Sequence, residues 1–554
     1  MNKPLWAPSN ERIEASNLST FDRYLKTNYK LNFKNNYEEL WKWSVSKNSD
    51  FWPKLIKFLD IKFEGRNVLE FEPNKKIYDQ IFFKNLRLNY AENILTSLND
   101  EPIIFRNEIG FREVLKKNEV LEKVGKLSNY LRSIGIQKND RVAVISANTP
   151  NTIIGFLAVN SIGAIWSSCS PDFGIDAILD RFSQIEPKVL MFTNLYHYGG
   201  KLIDVSGKIT KVSNQLNSLE YKFLLNYPGH EDLISNFDLD LKSIFENDEI
   251  CKEIQYEKNL FNDPMYILYS SGTTGKPKCI IHNTGGPLIQ HMKEQQLHCD
   301  LKKNNKIFYF TTCGWMMWNW LVSALASSAT IILYDGSPFY PKKDSLLKIT
   351  DDEKLDILGI SAKYIDALRN LQVAHKDFYK FQNLKSILST GSPLSNDCFN
   401  YVYDFIKKDI HLASISGGTD IVSCFVGGNP NLPVYSGEIQ VKCLGVDVDV
   451  YDEEGKPTLN KGELVCKSSI PSMPIGFWND KKKQKYKASY FSIFENIWSQ
   501  GDFAQYTKNG GLIIYGRSDA TLNPGGVRIG TSEIYRVVES FAEIDESVAV
   551  GQLW

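Results

Sequence analysis

From Arg141 onward the chain alternates short apolar runs with helical stretches, and this pattern restricts the fold more than any other feature. RVAVIS at 141–146 is a strand-length apolar run, Asn151 to Ile162 suits a helix, and AIWSS at 164–168 suits the next strand. Ile175 to Ile185 then reads as a helix and KVLMF as a strand. The alternation resumes through KIFYFTT, TIILY, DILGIS, SILSTG and LASIS, with helical segments between them. Strands that alternate with helices imply largely parallel, doubly wound α/β sheets, because a parallel strand pair needs a crossover. After Pro433 the texture changes to short alternating strands with turn signals (SGEIQVKCL, DVDVYDEEGKP, GELVCKSS, GGLIIYGRSD), which predicts a smaller β-rich subdomain. The expected organisation is one large domain over 1–517, with the β-rich part at about 433–517, followed by 518–554, a stretch too small to fold alone.

Composition narrows the function. The chain has 554 residues, 43% hydrophobic and 12% aromatic, enough to bury more than one core, so a large enzyme is expected rather than a disordered chain or a small binding module. Sixty-four Lys and Arg against 65 Asp and Glu leave a formal charge of -1, and no global field to hold nucleic acid or an anionic membrane. Nine cysteines are scattered without a C-x-x-C pair or metal-like spacing, as suits a reduced, cytoplasmic compartment. The first residues lack the apolar core of a secretory signal, and the longest apolar stretch, Thr152 to Cys169, reads as a buried helix running into a strand rather than a membrane span. Lys481 to Lys487 is a short basic run of the kind found in solvated loops.

The sharpest local signal is Tyr269-Ser-Ser-Gly-Thr-Thr-Gly-Lys-Pro-Lys278, flanked by MYILY and CIIH and so a loop between two strands. Gly272 and Gly275 let backbone N–H groups converge, Ser270, Ser271, Thr273 and Thr274 can donate to phosphate oxygens, and Lys276 and Lys278 can offset charge. It is not a Walker loop, since G-x-x-x-x-G-K-[ST] is not satisfied and Pro277 follows Lys276. On composition alone an ordinary glycine-rich turn is an equal reading.

The full string resembles the signature loop of the adenylate-forming superfamily, which includes acyl-CoA synthetases, luciferases and peptide-synthetase adenylation domains. The resemblance implies a two-step reaction in which a carboxylate attacks the α-phosphorus of ATP to give an acyl-adenylate and pyrophosphate, and a thiol then displaces AMP. Further motifs follow in the family's order. Ser389-Thr-Gly-Ser-Pro393 resembles the adenine-flanking turn, here Gly391, Ser392 and Pro393, at the end of a strand where open α/β sheets hold nucleotides. Ser414-Ile-Ser-Gly-Gly-Thr-Asp420 resembles the motif whose Thr contacts the α-phosphate and whose acid helps hold Mg2+, roles that fall to Thr419 and Asp420. Most of the superfamily has Glu at the acidic position, so Asp420 is one methylene shorter, and direct or water-mediated contact with the metal stays open. Asp502 in QGDF and Arg517 in YGRSD match the pair that grips the ribose. Asp519 matches the hinge about which the family's C-terminal domain swings, and Gly526 and Arg528 match the segment lining the thiol tunnel.

Within the superfamily, LWAPSNE at 5–11, Ser16-Asn-Leu, LNYAEN at 88–93, SISGGTD at 414–420 and DATLNPGGVR at 519–528 resemble the acetoacetyl-CoA synthetase branch. That likeness implies ligation of acetoacetate to coenzyme A with ATP and Mg2+. Acetyl-CoA synthetases carry a tryptophan two residues before the phosphate-contacting Thr, and Gly417 stands there, so replacement of an indole by hydrogen is expected to vacate room for a longer acid. Trp315, Met317 and Trp318 in GWMMWNW lie where the family builds its acyl pocket, although a plain core role for these side chains is an equal reading. The family continues into a small domain bearing a catalytic lysine that this sequence does not include, so adenylation by the chain as given is expected to be weak. A ligase for propionate, butyrate or a 3-hydroxy acid, and a binder of nucleotide or acyl-adenylate without catalysis, are the alternatives.

Overall fold

The computed structural model describes residues 3–69, 72, 75–231, 239–270, 276–372 and 374–518, with scattered positions beyond at 521–522, 529–530, 538, 541, 544 and 547–549. Two large sheets organise them. The first has eight strands in the spatial order Leu239–Asp240, Tyr221–Leu224, Val189–Phe192, Arg141–Ile145, Ile165–Cys169, Pro264–Ser270, Lys278–Asn283 and Gly476–Phe477. It is parallel up to Pro264–Ser270, and the last two pairings are antiparallel. The second has seven strands in the order His411–Ser414, Ser386–Thr390, Ile357–Ser361, Lys306–Tyr309, Thr330–Asp335, Ile103–Asn107 and Arg112–Leu115, parallel except for the final hairpin. These are the doubly wound sheets that the alternation implies.

Their strands read as continuous apolar runs because both faces are covered. Side chains alternate across a strand, so successive residues enter different cores. Val142 and Val144 share a central core with Ile103, Phe105, Ile307 and Ile331, so that core receives one face of each sheet. Ala143 and Ile145 enter the outer core of the first sheet, and Ile104 and Phe308 that of the second. The helix Pro150–Ser161 lies in the central core, and its all-round apolarity follows from burial on every side. It leads into Ile165–Cys169, as expected for the longest apolar stretch. No helix among the described residues is long and apolar enough to cross a membrane.

A third, antiparallel sheet of four strands, Val448–Tyr451, Gly462–Cys466, Trp498–Tyr506 and Leu512–Arg517, has its own core around Trp498 and Leu464. It brings the Asp502 and Arg517 motifs onto adjacent strands, with the two Cα positions directly paired. Thr390 and Ser414, at the C-terminal ends of two of the second sheet's parallel strands, line one cavity with that pair, and such strand ends are where open α/β sheets hold ligands.

Candidate active site

The strands Pro264–Ser270 and Lys278–Asn283 pair antiparallel, and their last rung joins Ser270 to Lys278, so the loop between them is closed at its base. Ser271, Gly272, Thr273, Thr274 and Gly275 lie outside the described residues, while Lys276 is exposed. Ser270 Oγ donates to Asp420 Oδ1 at 3.4 Å, which ties the loop's base to the downstream acidic motif. Asp420 Oδ1 also accepts a hydrogen bond from the Tyr490 hydroxyl. The Tyr490 ring stacks on Trp498 with centroids 3.8 Å apart, and Lys278 Nζ lies 5.0 Å from the ring centroid. Burial, followed by the Asp420 charge, pushes the Tyr490 phenol well above its ordinary range, so it remains a donor. Sequence reasoning missed Tyr490: it ends the helix Gln484–Tyr490, 70 residues beyond Asp420, and nothing around it marks it.

Strand Ser386–Thr390 ends in the turn of Gly391, which takes φ +95° and so occupies the left-handed region that suits glycine. A Cβ at Gly391 would stand 3.9 Å from the Trp315 ring, so the expected adenine-flanking turn and the first of the expected acyl-pocket aromatics are neighbours. Gly391, Ser392 and Pro393 line a cavity of ≈ 270 Å³ whose wall also includes Thr419, Asp502 and Arg517. Asp502 is buried, and the Arg517 guanidinium lies 3.7 Å from its carboxylate with the Arg517 side chain about half exposed. A buried acceptor beside a more open donor suits recognition of vicinal hydroxyls.

The same cavity continues past Thr419 to Trp315, Met316, Met317 and Trp320. Trp318 is not among its lining residues, which corrects its expected place in the acyl pocket. It is fully buried, donates from Nε1 to Asn148 Oδ1 at 3.0 Å, and stacks on Trp166 with centroids 6.0 Å apart. The cause is helical: in Met316–Ser323 positions 317 and 320 lie near one face, and 318 is turned about 100° per residue away from 317.

Gly417 lines the cavity, but not for the reason expected. A Cβ at this position would lie 2.0 Å from the Ser423 carbonyl oxygen and 2.6 Å from Cys424 Cα. It would enter the neighbouring strand, where Ser416–Gly418 pairs with Ser423–Gly427 through an irregular register, and not the cavity. The glycine is required by a close backbone approach, so the missing indole opens no room in this backbone.

The cavity wall also carries residues that the sequence did not single out: Glu294, His298, Cys299, Ser423 and Cys424. His298 Nδ1 bonds the Gly428 carbonyl at 2.9 Å and its Nε2 accepts from Leu444 N–H at 3.3 Å. Burial lowers its imidazole to about 3, so it is neutral. Among the described residues no group of three or more His, Cys, Asp or Glu could hold a metal ion. A lone carboxylate such as Asp420 suits Mg2+ all the same, since that ion keeps waters and shares its shell with substrate phosphates. Asp519, Gly526 and Arg528 lie outside the described residues.

Comparison with known proteins identifies the family. Residues 112–475 match the family described as AMP-binding enzyme. An acetoacetyl-coenzyme A synthetase of Rhizobium meliloti is 45% identical over 558 residues, covering 100% of this chain and 85% of that protein. The acetoacetyl-CoA synthetase of Gallus gallus is 42% identical over 530 residues, 93% of this chain and 79% of its own. The solved acetoacetyl-CoA synthetase from Streptomyces lividans superposes with a TM-score of 0.92 at 35% identity, over 99% of this chain and 85% of that one. With Gly391, Ser392, Pro393, Thr419 and the Asp502–Arg517 pair lining one cavity, the chain belongs to the AMP-binding enzyme family and, within it, to the acetoacetyl-CoA synthetases.

Proposed function

We propose that the chain joins acetoacetate to coenzyme A in two steps. An acetoacetate carboxylate oxygen attacks the α-phosphorus of ATP, the bond to the bridging oxygen breaks, and pyrophosphate leaves. The thiol of CoA then attacks the acyl carbon, AMP departs with the electron pair, and the thiol proton passes to solvent or base. The observation that carries this reading is the continuity of one cavity from the Asp502–Arg517 pair, past Thr419, to the pocket of Trp315 and Met317. Such a cavity holds a nucleotide and a short acid end to end, with the acid's carboxylate at the α-phosphate, and fixed orientation of two reactants supplies much of the rate.

In this reading Gly391, Ser392 and Pro393 flank adenine, Asp502 and Arg517 hold the ribose hydroxyls, and Thr419 donates to the α-phosphate. Ser270, Lys276 and Lys278, with the loop between them, steady the departing pyrophosphate. Asp420 holds Mg2+, which when bound offsets charge on the phosphates. Arg528 and Gly526 serve the thiol step and Asp519 the hinge.

The test is isothermal titration of the chain with MgATP and with a nonhydrolysable acetoacetyl-adenylate mimic, repeated on Lys276→Ala and Asp502→Ala. Loss of a hydrogen bond to a charged group is worth about 1.5–3 kcal/mol, so Asp502→Ala is expected to weaken both ligands by about 10- to 100-fold. Lys276→Ala should weaken MgATP more than the mimic, which lacks the β- and γ-phosphates. Absence of nucleotide binding by a folded chain would overturn the reading.

A further inference from the structure

Beside Trp320 the cavity wall also holds Glu294 and Ser423 and is more polar than a hydrocarbon tail requires. Helix Gly285–Lys293 runs directly into a π-helical turn, Glu294–His298. Such turns widen the helix and shift side chains out of α register, and they gather at functional sites. This one carries Glu294, only 3% exposed, onto the cavity wall. A buried carboxylate persists only where donors satisfy it. Glu294 has the Cys424 backbone N–H at 3.1 Å, the Trp320 indole N–H at 3.0 Å and the Ser423 hydroxyl.

Only one of these three donors can turn. The Cys424 amide is fixed in its strand and the indole N–H is fixed by the ring. Both nitrogens of the neighbouring His298 are occupied. The Ser423 hydroxyl rotates about a single bond, and its oxygen is already claimed on one side by Gln290 Nε2, which donates to it at 3.1 Å. Gln290 is fully buried one helical turn before Glu294, so that amide holds Ser423 in the role of forward donor. The hydroxyl proton points to Glu294 and can turn away from it, because Cys424 and Trp320 still satisfy the carboxylate.

We propose that Ser423 reads an oxygen on the third carbon of the acyl chain, turning its proton from Glu294 to that oxygen, with Gln290, Glu294 and Trp320 as its positioning residues. The proposal rests on the acid–CoA ligase reading and supplies the group that distinguishes a 3-oxo acid from its hydrocarbon analogue. A saturated tail would lay methylene against this polar floor and recover no hydrogen bond, and sites built to bond a substrate oxygen reject analogues that lack it.

Two sulfamoyl-adenylates, acetoacetyl and butyryl, differ only in that oxygen and report binding by calorimetry on the full chain without turnover. Wild type should prefer the acetoacetyl compound by about 10- to 100-fold. Ser423→Ala should reduce the preference to within about threefold and leave AMP affinity unchanged, while Ser423→Thr, which retains the hydroxyl, should keep most of it. If the alanine variant does not fold, Ser423→Cys takes its place and should lose the preference likewise, since a thiol is a weak donor in a similar volume. A wild type that binds both compounds alike, or an alanine or cysteine variant that keeps the full preference, overturns the role of Ser423. If neither compound binds better than AMP, the acyl reading of the cavity fails and the proposal with it.

Discussion

In the proposed reading Asp420 faces a polyphosphate, and such a carboxylate needs donors to hold it in place against repulsion. Asp420 takes the Tyr490 hydroxyl and Ser270 Oγ on the same oxygen, so its other oxygen is left for a ligand or a metal. Tyr490 in turn is fixed by its stack on Trp498. Tyr490→Phe keeps the stacked ring and removes one donor to a charged acceptor. The expected result is a MgATP dissociation constant raised by about 10-fold or more, with AMP binding nearly unchanged because AMP lacks the β- and γ-phosphates. Equal weakening of both nucleotides in calorimetry would mean that Tyr490 acts on the pocket as a whole and not through Asp420.

At the scale of elements, the helix Met316–Ser323 shows why one part of the site was readable and another was not. All eight of its residues are buried, so no amphipathic stripe distinguishes the cavity face from the core face. Trp318 belongs to the core, and Trp318→Ala should lower stability by about 3–5 kcal/mol, read as a drop in the thermal midpoint, without altering the preference between acyl-adenylate mimics. A changed preference at unchanged stability would return Trp318 to the pocket. The parallel strands were readable because burial on both faces leaves an apolar run in the sequence, and Ile175–Ile185 stands at the expected bounds. The Asp502 and Arg517 motifs were readable as strand segments because each is contiguous, and their Cα positions pair. The polar floor was not: the donors to Glu294 come from Trp320, Ser423 and Cys424, separated from it by 26 to 130 positions. EQQLH looks like any polar stretch of helix, and a π turn leaves no mark in composition. Gly417 was readable as an unusual residue, but its cause, the carbonyl of Ser423 in the next strand, exists only once the chain is folded.

At the scale of the whole molecule, burial favours the neutral form of most histidines. Burial, the largest cause in each case, lowers six of the seven: His197, His282, His291, His298, His375 and His411. For three of them the folded values are about 3 (His282, His298) and about 4 (His411), against an ordinary 6.5. Below that ordinary value the unfolded chain binds protons that the folded chain does not, so stability falls as the pH drops from 6.5 toward 4. At pH 5.5 each of these three costs about 1.4 kcal/mol relative to pH 7.5, about 4 kcal/mol together, and His197, His291 and His375 act in the same direction. Asp335 opposes them. It is buried at the end of its strand, where it accepts from the His197 backbone N–H at 2.8 Å and the Tyr227 hydroxyl at 2.7 Å, and burial raises its carboxyl to about 7. A raised carboxyl takes up its proton in the folded state first, which returns about 2 kcal/mol over the same interval. The net expectation is a loss of about 2 kcal/mol between pH 7.5 and 5.5, seen as a lower urea midpoint. Asp335→Asn removes the opposing group, so the fall should deepen to about 4 kcal/mol in the variant whatever its starting stability. A midpoint that stays level with pH in both proteins would mean that the buried imidazoles take up protons in the folded state as readily as in the unfolded one, and that His298 Nε2 gives up the hydrogen bond it accepts from the Leu444 N–H without cost.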